Sequence, residues 1–324
     1  MNPLTGIYGA ATALRNKLFD SGVLPSRRLQ QPVVSVGNLS AGGAGKTPFV
    51  IMLGELLKAR GIRFDVLSRG YRRKSRGALV VDPEGNAAEF GDEPLLIARR
   101  LRVPVIVGES RYEAGRLAEQ KFPTQLHILD DGFQHRWLAR SFDIVLMAER
   151  DFDDRILPSG RLREPLSSLQ RADVIVLPDD CPAPNIVIER LTLQGNLIWR
   201  MQRKIVLPAA PPAPIVFCGI ARPHQFFAQV RAAGISPAAE VEFRDHHAYD
   251  RNDIERLRAI RGTLNAGGFL TTEKDAVNLG SLQEELQPFT IAVPSLTIDH
   301  ADDVVGTILA RTIFATSGNQ KPRS

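Results

Sequence analysis

The chain's 324 residues, 44% hydrophobic and 24% charged, match an ordinary soluble globular protein with room for two cores. Its 41 Lys+Arg against 36 Asp+Glu leave +5, an excess that suits an anionic substrate or lipid surface and is too small and scattered to argue for nucleic acid. Cys181 and Cys218 alone exclude a disulfide framework or cysteine metal site, and no spanning-length apolar run or signal-peptide pattern is present, so a cytoplasmic protein is expected.

In chain order, residues 4–18 set Leu4, Ile7, Tyr8, Ala11, Leu14 and Leu18 on one helical face, with Arg15 and Lys17 near its end. Such a helix either packs on the protein or lies in a membrane interface, and the pattern leaves both open. Val33, Val34, Ser35 and Val36 predict a buried strand. It runs into a glycine-rich turn (Gly42, Gly43, Gly45) ending in Lys46-Thr47, and Pro48 suits the first turn of a helix. Phe49, Met52, Leu53, Leu56 and Leu57 give that helix an apolar face. Strand, glycine loop, Lys-Thr and helix together form a P-loop layout. Glycines let backbone N–H groups turn inward around phosphate oxygens. Lys46 would bridge the β- and γ-phosphates, and the Thr47 hydroxyl would ligate Mg²⁺. Ser40 stands where the usual pattern has glycine. A glycine-rich turn that binds nothing is the alternative, but Gly-Lys-Thr in this context points to a nucleoside triphosphate site.

Residues 64–68 predict a second strand, followed by a basic run (Arg69, Arg72, Arg73, Lys74, Arg76) at a strand end, where ligands of α/β sheets bind. Asp92 stands where a helix opens and is a candidate N-cap. Residues 103–107 and 126–129 predict further strands, the latter ending in Asp130-Asp131-Gly132. Acids at a strand end downstream of a P-loop form the Walker B arrangement, whose oxygens suit Mg²⁺. Strands at 142–147 and 173–177 complete a mostly parallel sheet with helices on both faces. Pro208, Pro211, Pro212 and Pro214 mark a linker to a second, smaller α/β unit that carries Asp245-His246-His247.

On these residues the sequence resembles the tetraacyldisaccharide 4′-kinase family over nearly its whole length. PVVSVGNLSAGGAGKTP, LSRGY, GDEP, GESR, DDGFQH, PSGRLREP, FRDHHAY and TTEKDA occur in the family's order, and the non-glycine at position 40 is the family's own variant. The resemblance implies transfer of the ATP γ-phosphoryl group to the 4′-hydroxyl of a tetraacylated glucosamine disaccharide 1-phosphate in lipid A biosynthesis. It implies a nucleotide site of Gly42, Gly43, Ala44, Gly45, Lys46, Thr47 and Pro48 with Gln134 and Glu164, and Mg²⁺ on Thr47, Asp130 and Asp131. Asp92 is implied as the catalytic carboxylate in a dyad with a histidine, His246 in preference to His247. Arg69, Tyr71, Arg111 and His135 are implied near phosphates or substrate. The expected organisation is a membrane-associating helix within 1–28, an ATP-binding domain over 29–205, a smaller domain over 206–316 and a polar tail over 317–324. The lipid substrate makes the first helix a peripheral contact with the cytoplasmic face of the inner membrane, with no obligate protein partner.

Two other classes compete. A switch ATPase or GTPase would use the P-loop to drive a partner, but Thr272-Glu273-Lys274-Asp275 is a poor match to a guanine-reading motif. A lipid-surface binding module would leave the P-loop and Asp130-Asp131 idle.

Overall fold

The structure, a computed structural model, describes residues 3–43, 45–181 and 185–313, so Ala44 and the expected tail over 317–324 lie outside the described residues. Helix α1 (Pro3–Asp20) precedes β1 (Val33–Asn38), all six of whose residues are buried. Then come α2 (Lys46–Ala59), β2 (Phe64–Ser68), β3 (Leu79–Val80), α3 (Ala87–Phe90), α4 (Asp92–Leu101) and β4 (Val105–Val107). Helix α5 (Arg111–Lys121), β5 (Leu126–Asp130), β6 (Phe142–Leu146), β7 (Val174–Pro178), α6 (Asn185–Leu193) and β8 (Leu197–Val206) complete a first lobe. A second lobe contains β9 (Ile215–Cys218), α7 (Pro223–Ala232), β10 (Ala239–Glu242), α8 (Arg251–Leu264), β11 (Phe269–Thr272) and α9 (Glu273–Leu279). Strand β12 (Phe289–Ile298) and α10 (Ala301–Arg311) end the described chain.

The sheet is open and mostly parallel, in the order β10-β9-β11-β12-β8-β7-β6-β1-β5-β2-β4-β3. Strand β1 lies parallel between β5 and β6, so the P-loop leaves the middle of the sheet at its carboxyl edge. Alternation sorts the side chains as a two-faced buried sheet requires. Phe142, Ile144 and Leu146 of β6 join one core with Val34, Val36, Phe49 and Leu53, while Val145 joins another with Leu39, Phe133 and Ile175.

One strand joins the lobes. The first half of β12 pairs in parallel with β11 (Phe269↔Phe289), and its second half pairs antiparallel with β8 (Val293↔Val206 to Ile298↔Met201). Because β12 crosses back, α10 packs Val304, Val305 and Ile308 into the same core as α2. The last helix of the expected 206–316 unit therefore lies on the first lobe.

Helix α1 docks by the side that carries Tyr8, Arg15, Asn16 and the buried Phe19. Asn16 Nδ2 donates to Glu164 Oε2 at 2.7 Å, Arg15 Nη2 to the Gln134 carbonyl at 2.5 Å, and Tyr8 Oη to the Arg163 carbonyl at 3.2 Å. Leu4, Ile7 and Leu14 of its apolar face stay exposed, at 58%, 66% and 59%. Among the described residues no helix is long and apolar enough to cross a membrane.

A charged cluster ties the amino edge of the sheet together. The buried His127 of β5 has Nδ1 2.8 Å from Asp65 Oδ1 on β2 and Nε2 3.4 Å from Glu119 Oε1 on α5. Glu119 also accepts the backbone N–H groups of Gln30 and Gln31. Burial lowers the His127 pKa, but the hydrogen bonds and charges of Asp65 and Glu119 outweigh it and hold it above the ordinary histidine value. A raised pKa contributes stability that is complete below the unfolded-state value and lost as pH rises through the folded one. Asp65→Ala deprives the buried imidazolium of the nearer of its two carboxylate partners and is expected to destabilise the protein by about 3–5 kcal/mol. Thermal unfolding should show the deficit largest at mildly acidic pH and smaller under alkaline conditions.

Candidate active site

Loops at the carboxyl edge of the first lobe face the second lobe across a cavity of about 760 Å³. The P-loop forms one wall. Gly45 sits at φ 82°, where a side chain would be strained, and a Cβ there would also collide with the Arg203 guanidinium. Lys46 opens α2, its Nζ donating to Asn38 Oδ1 at 2.9 Å and lying 3.3 Å from Asp131 Oδ1. Thr47 and Pro48 line the same wall.

Asp130 ends β5, and Asp131 follows at φ 52°, a left-handed backbone uncommon outside glycine and typical of functional turns. Burial raises the Asp130 carboxyl to about 7, helped by the charges of Glu93 and Asp131. Burial works the same way on Asp131, but Lys46 and Arg163 outweigh it and hold that carboxyl below the ordinary range. Ser68 Oγ donates to Asp130 Oδ2, and Asp130 Oδ1 is buried without a hydrogen-bond partner among the described residues. In a cavity that Thr47 also lines, that orphaned oxygen suits a hard divalent cation. Among the described residues no cluster of three or more His, Cys, Asp or Glu forms a closed metal cage.

The opposite wall carries the carboxylate–histidine pair. Gly91, at φ 89°, caps α4, so Asp92 is its first residue rather than the N-cap that its position suggested. Asp92 Oδ1 accepts the Glu93 N–H at 2.9 Å. Asp92 Oδ2 lies 2.8 Å from His246 Nδ1 and accepts from Asn278 Nδ2 at 3.3 Å. His246 arrives from the turn after β10 at φ 58°, and Arg72 holds that turn by donating to the Asp245 and His246 carbonyls. Burial acts to raise the Asp92 carboxyl; the His246 hydrogen bond and the charge of Lys274 outweigh it, so it stays below the ordinary aspartate value. His247 points elsewhere, its Nε2 2.7 Å from Asp253 Oδ2.

Of the residues singled out in the sequence, the loop glycines 42, 43 and 45, Lys46, Thr47, Pro48, Arg69, Tyr71, Asp92, Asp130, Asp131 and His246 line the cavity. Four brace it from behind. Glu164 is fully buried and taken up by Asn16 and Arg171. Gln134 Nε2 donates to the Asn38 carbonyl. Arg111 is buried with its guanidinium on the Glu109 carbonyl, its pKa lowered to about 10 by burial and by Arg69. Burial together with Arg111, Arg140, Arg15 and Arg69 lowers His135 to about 4, so it is neutral at pH 7. Sequence reasoning passed over Asn38, Lys274, Arg203 and Arg222. The last two reach the P-loop from β8 and the start of α7.

Comparison with known proteins agrees with this geometry. The model of the LpxK family, tetraacyldisaccharide-1-P 4′-kinase, matches residues 1–313. A tetraacyldisaccharide 4′-kinase from Koribacter versatilis is 48% identical over 319 residues, covering 95% of this chain and 98% of the relative. One from Geobacter metallireducens is 36% identical over 312 residues, covering 90% and 91%. A solved structure of LpxK from Aquifex aeolicus in complex with ATP superposes with a TM-score of 0.78 at 32% identity, covering 96% of this chain and 98% of that one. With the P-loop, the paired acids and the Asp92–His246 contact in one cavity, the chain belongs to the tetraacyldisaccharide-1-P 4′-kinase family.

Proposed function

We infer that this protein is an ATP-dependent kinase that phosphorylates the 4′-hydroxyl of a tetraacylated glucosamine disaccharide 1-phosphate in lipid A biosynthesis. The observation that carries the reading is one cavity holding Lys46 and Thr47 on one wall and the Asp92–His246 pair on the other. In the transfer, the 4′-oxygen forms a bond to the γ-phosphorus as the bond to the β,γ-bridging oxygen breaks, and ADP leaves. Asp92 takes the hydroxyl proton late in that step, and His246 orients the carboxylate. Lys46 neutralises charge on the phosphates. Thr47, Asp130 and Asp131 are the residues that would hold Mg²⁺, which supplies charge neutralisation at phosphate oxygens.

Arg69 and Tyr71 on the cavity wall supply positive charge and a hydrogen-bond donor for the anionic end of the lipid, with Arg111 and His135 bracing that wall from behind. Two lobes meeting near residue 205 would close on the two substrates, β8 and β12 serving as the joint. Labelled ATP, Mg²⁺ and tetraacyl disaccharide 1-phosphate in mixed micelles test the reading. Labelled lipid supports it; phosphate release with no labelled lipid would move a switch ATPase to first place.

The exposed Leu4, Ile7 and Leu14 supply the apolar stripe of a peripheral contact with the cytoplasmic face of the inner membrane. Deleting α1 would also uncover the buried Glu164, so substitution on the outer face isolates membrane binding from docking. Ile7→Glu with Leu14→Glu is expected to lower partitioning onto anionic lipid vesicles about 10-fold or more and to leave thermal unfolding unchanged. Equal sedimentation of variant and parent with vesicles would rule the contact out.

A further inference from the structure

Lys274 stands in the first turn of α9, directly after β11, and the second lobe inserts it between α4 and the turn bearing His246. Its Nζ lies 3.1 Å from Glu93 Oε1, 3.2 Å from His246 Nε2, 3.7 Å from Asp92 Oδ2 and 3.9 Å from Asp245 Oδ1. An ammonium has three protons and no lone pair, so toward a ring nitrogen it can only donate. A ring nitrogen that accepts carries no proton. The imidazole's single proton is then on Nδ1, the nitrogen 2.8 Å from Asp92 Oδ2.

We propose that Lys274 is a positioning residue for phosphoryl transfer: by donating to Nε2 it locks His246 in the Nδ1–H tautomer and aims that proton at Asp92. The proposal rests on the reading of Asp92 as the proton acceptor. With the lock in place, Oδ2 is occupied by His246 and Asn278, and among the described residues Oδ1 carries only the Glu93 N–H. A carboxylate oxygen has two acceptor sites, so the one remaining on Oδ1 is where a substrate hydroxyl can dock. Without the lock the ring is free to present a bare Nδ1 to an anionic carboxylate, which repels it and releases the orientation of Oδ1.

The charges around Lys274 keep it in its donating form. Burial acts to lower its pKa, but Glu93 and Asp92 from α4 and Asp245 from the adjoining turn outweigh it, so the ammonium is held above the ordinary lysine range. Asp275, the next residue on α9, is turned away: its carboxylate accepts from the Gly219 N–H, Tyr249 Oη and Thr272 Oγ1. Glu273 is engaged by Arg100. Lys274 in turn is one of the groups that hold the Asp92 carboxyl low.

The test reads the tautomer and the chemistry separately on the full chain. Long-range ¹H–¹⁵N correlation on histidine-labelled protein, with the His246 signals assigned by their absence in His246→Asn, should show a protonated Nδ1 and a bare Nε2. An Nε2–H tautomer in the wild-type protein overturns the proposal, and this arm needs no variant at Lys274. In Lys274→Met the Nδ1–H form should give way to a mixture or to the Nε2–H form, while unchanged ring signals overturn the proposal. Steady-state assays of Lys274→Met should show kcat lower by about 10- to 100-fold, the size of one charge-assisted hydrogen bond. KM for ATP should not move, and the acidic limb of the kcat profile should shift to higher pH as Asp92 loses a neighbouring cation. Higher KM for ATP with unchanged kcat would make Lys274 a phosphate ligand instead. Full activity in Asp92→Asn with the tautomer still locked would instead sink the role assigned to Asp92.

Discussion

Replacing Lys46 by alanine is expected to lower phosphoryl transfer about 10³-fold, the upper range for removing one preorganised charge from a transition state. Lys46 is the cation inside the P-loop, its side chain only 13% exposed, and it lies against Asn38 and Asp131. Losing it removes charge from the phosphates and also one of the groups that hold the Asp131 and Asp130 carboxyls down. Without its cation the Asp131 carboxylate will repel the triphosphate, so ATP binding should weaken together with kcat. The fold should survive, because α2 is secured by Phe49, Val50, Leu53 and Leu57 in the core. Labelled-phosphate transfer and thermal unfolding measured on the same sample check both halves. Near-normal turnover would remove the P-loop from the mechanism.

Asp92→Asn is the second large effect, with kcat expected to fall about 10²- to 10⁴-fold, as for loss of a general base. Asparagine keeps the size of the side chain and one acceptor oxygen, but it takes no proton. No hydrogen bond or ion pair joins Asp92 to the P-loop among the described residues, so ATP affinity measured by calorimetry should stay within about 3-fold, well under 1 kcal/mol. The sign with pH also follows. The folded-state carboxyl is held below its ordinary value, so it adds stability that is present above the unfolded pKa and lost as pH falls through the folded one. The stability difference between parent and variant should therefore be largest near neutrality and vanish in strong acid. Loss of ATP binding in place of turnover would make Asp92 a structural residue of α4.

Much of the nucleotide half of the site is legible in the chain because its determinants are local. A β-branched strand, glycines with positive φ, Lys-Thr and an amphipathic helix are consecutive, and backbone sterics with helix periodicity are enough to read them. Asp130-Asp131 follows from the same logic, a buried strand ending in acids. Helix α1 shows where local reading stops. Its apolar stripe left packing and membrane contact open, yet the helix docks through Tyr8, Arg15 and Asn16 and turns Ile7 and Leu14 outward. Periodicity identifies an apolar face but carries no information about what faces it. Glu164 differs for a related reason: its partners, Asn16 and Arg171, come from α1 and from the segment after its own loop, and they draw it beneath the cavity.

The sequence by itself determined the strands at 33–36, 64–68, 103–107, 126–129, 142–147 and 173–177, the phosphate loop and the acidic strand end, together with the family resemblance written in their order; the joining strand β12 was not read from it. Only the tertiary structure decided which histidine meets Asp92, since 154 residues separate the pair and His247 stands beside His246 in the same turn. It also decided that Lys274, in a segment resembling a weak guanine-reading motif, completes that pair. The physical reason is topological. Strand β12 pairs with β11 in one lobe and β8 in the other, and that crossing brings the turn after β10 and the start of α9 to the N-terminus of α4. A contact made by chain crossing leaves no periodic trace in the residues that make it.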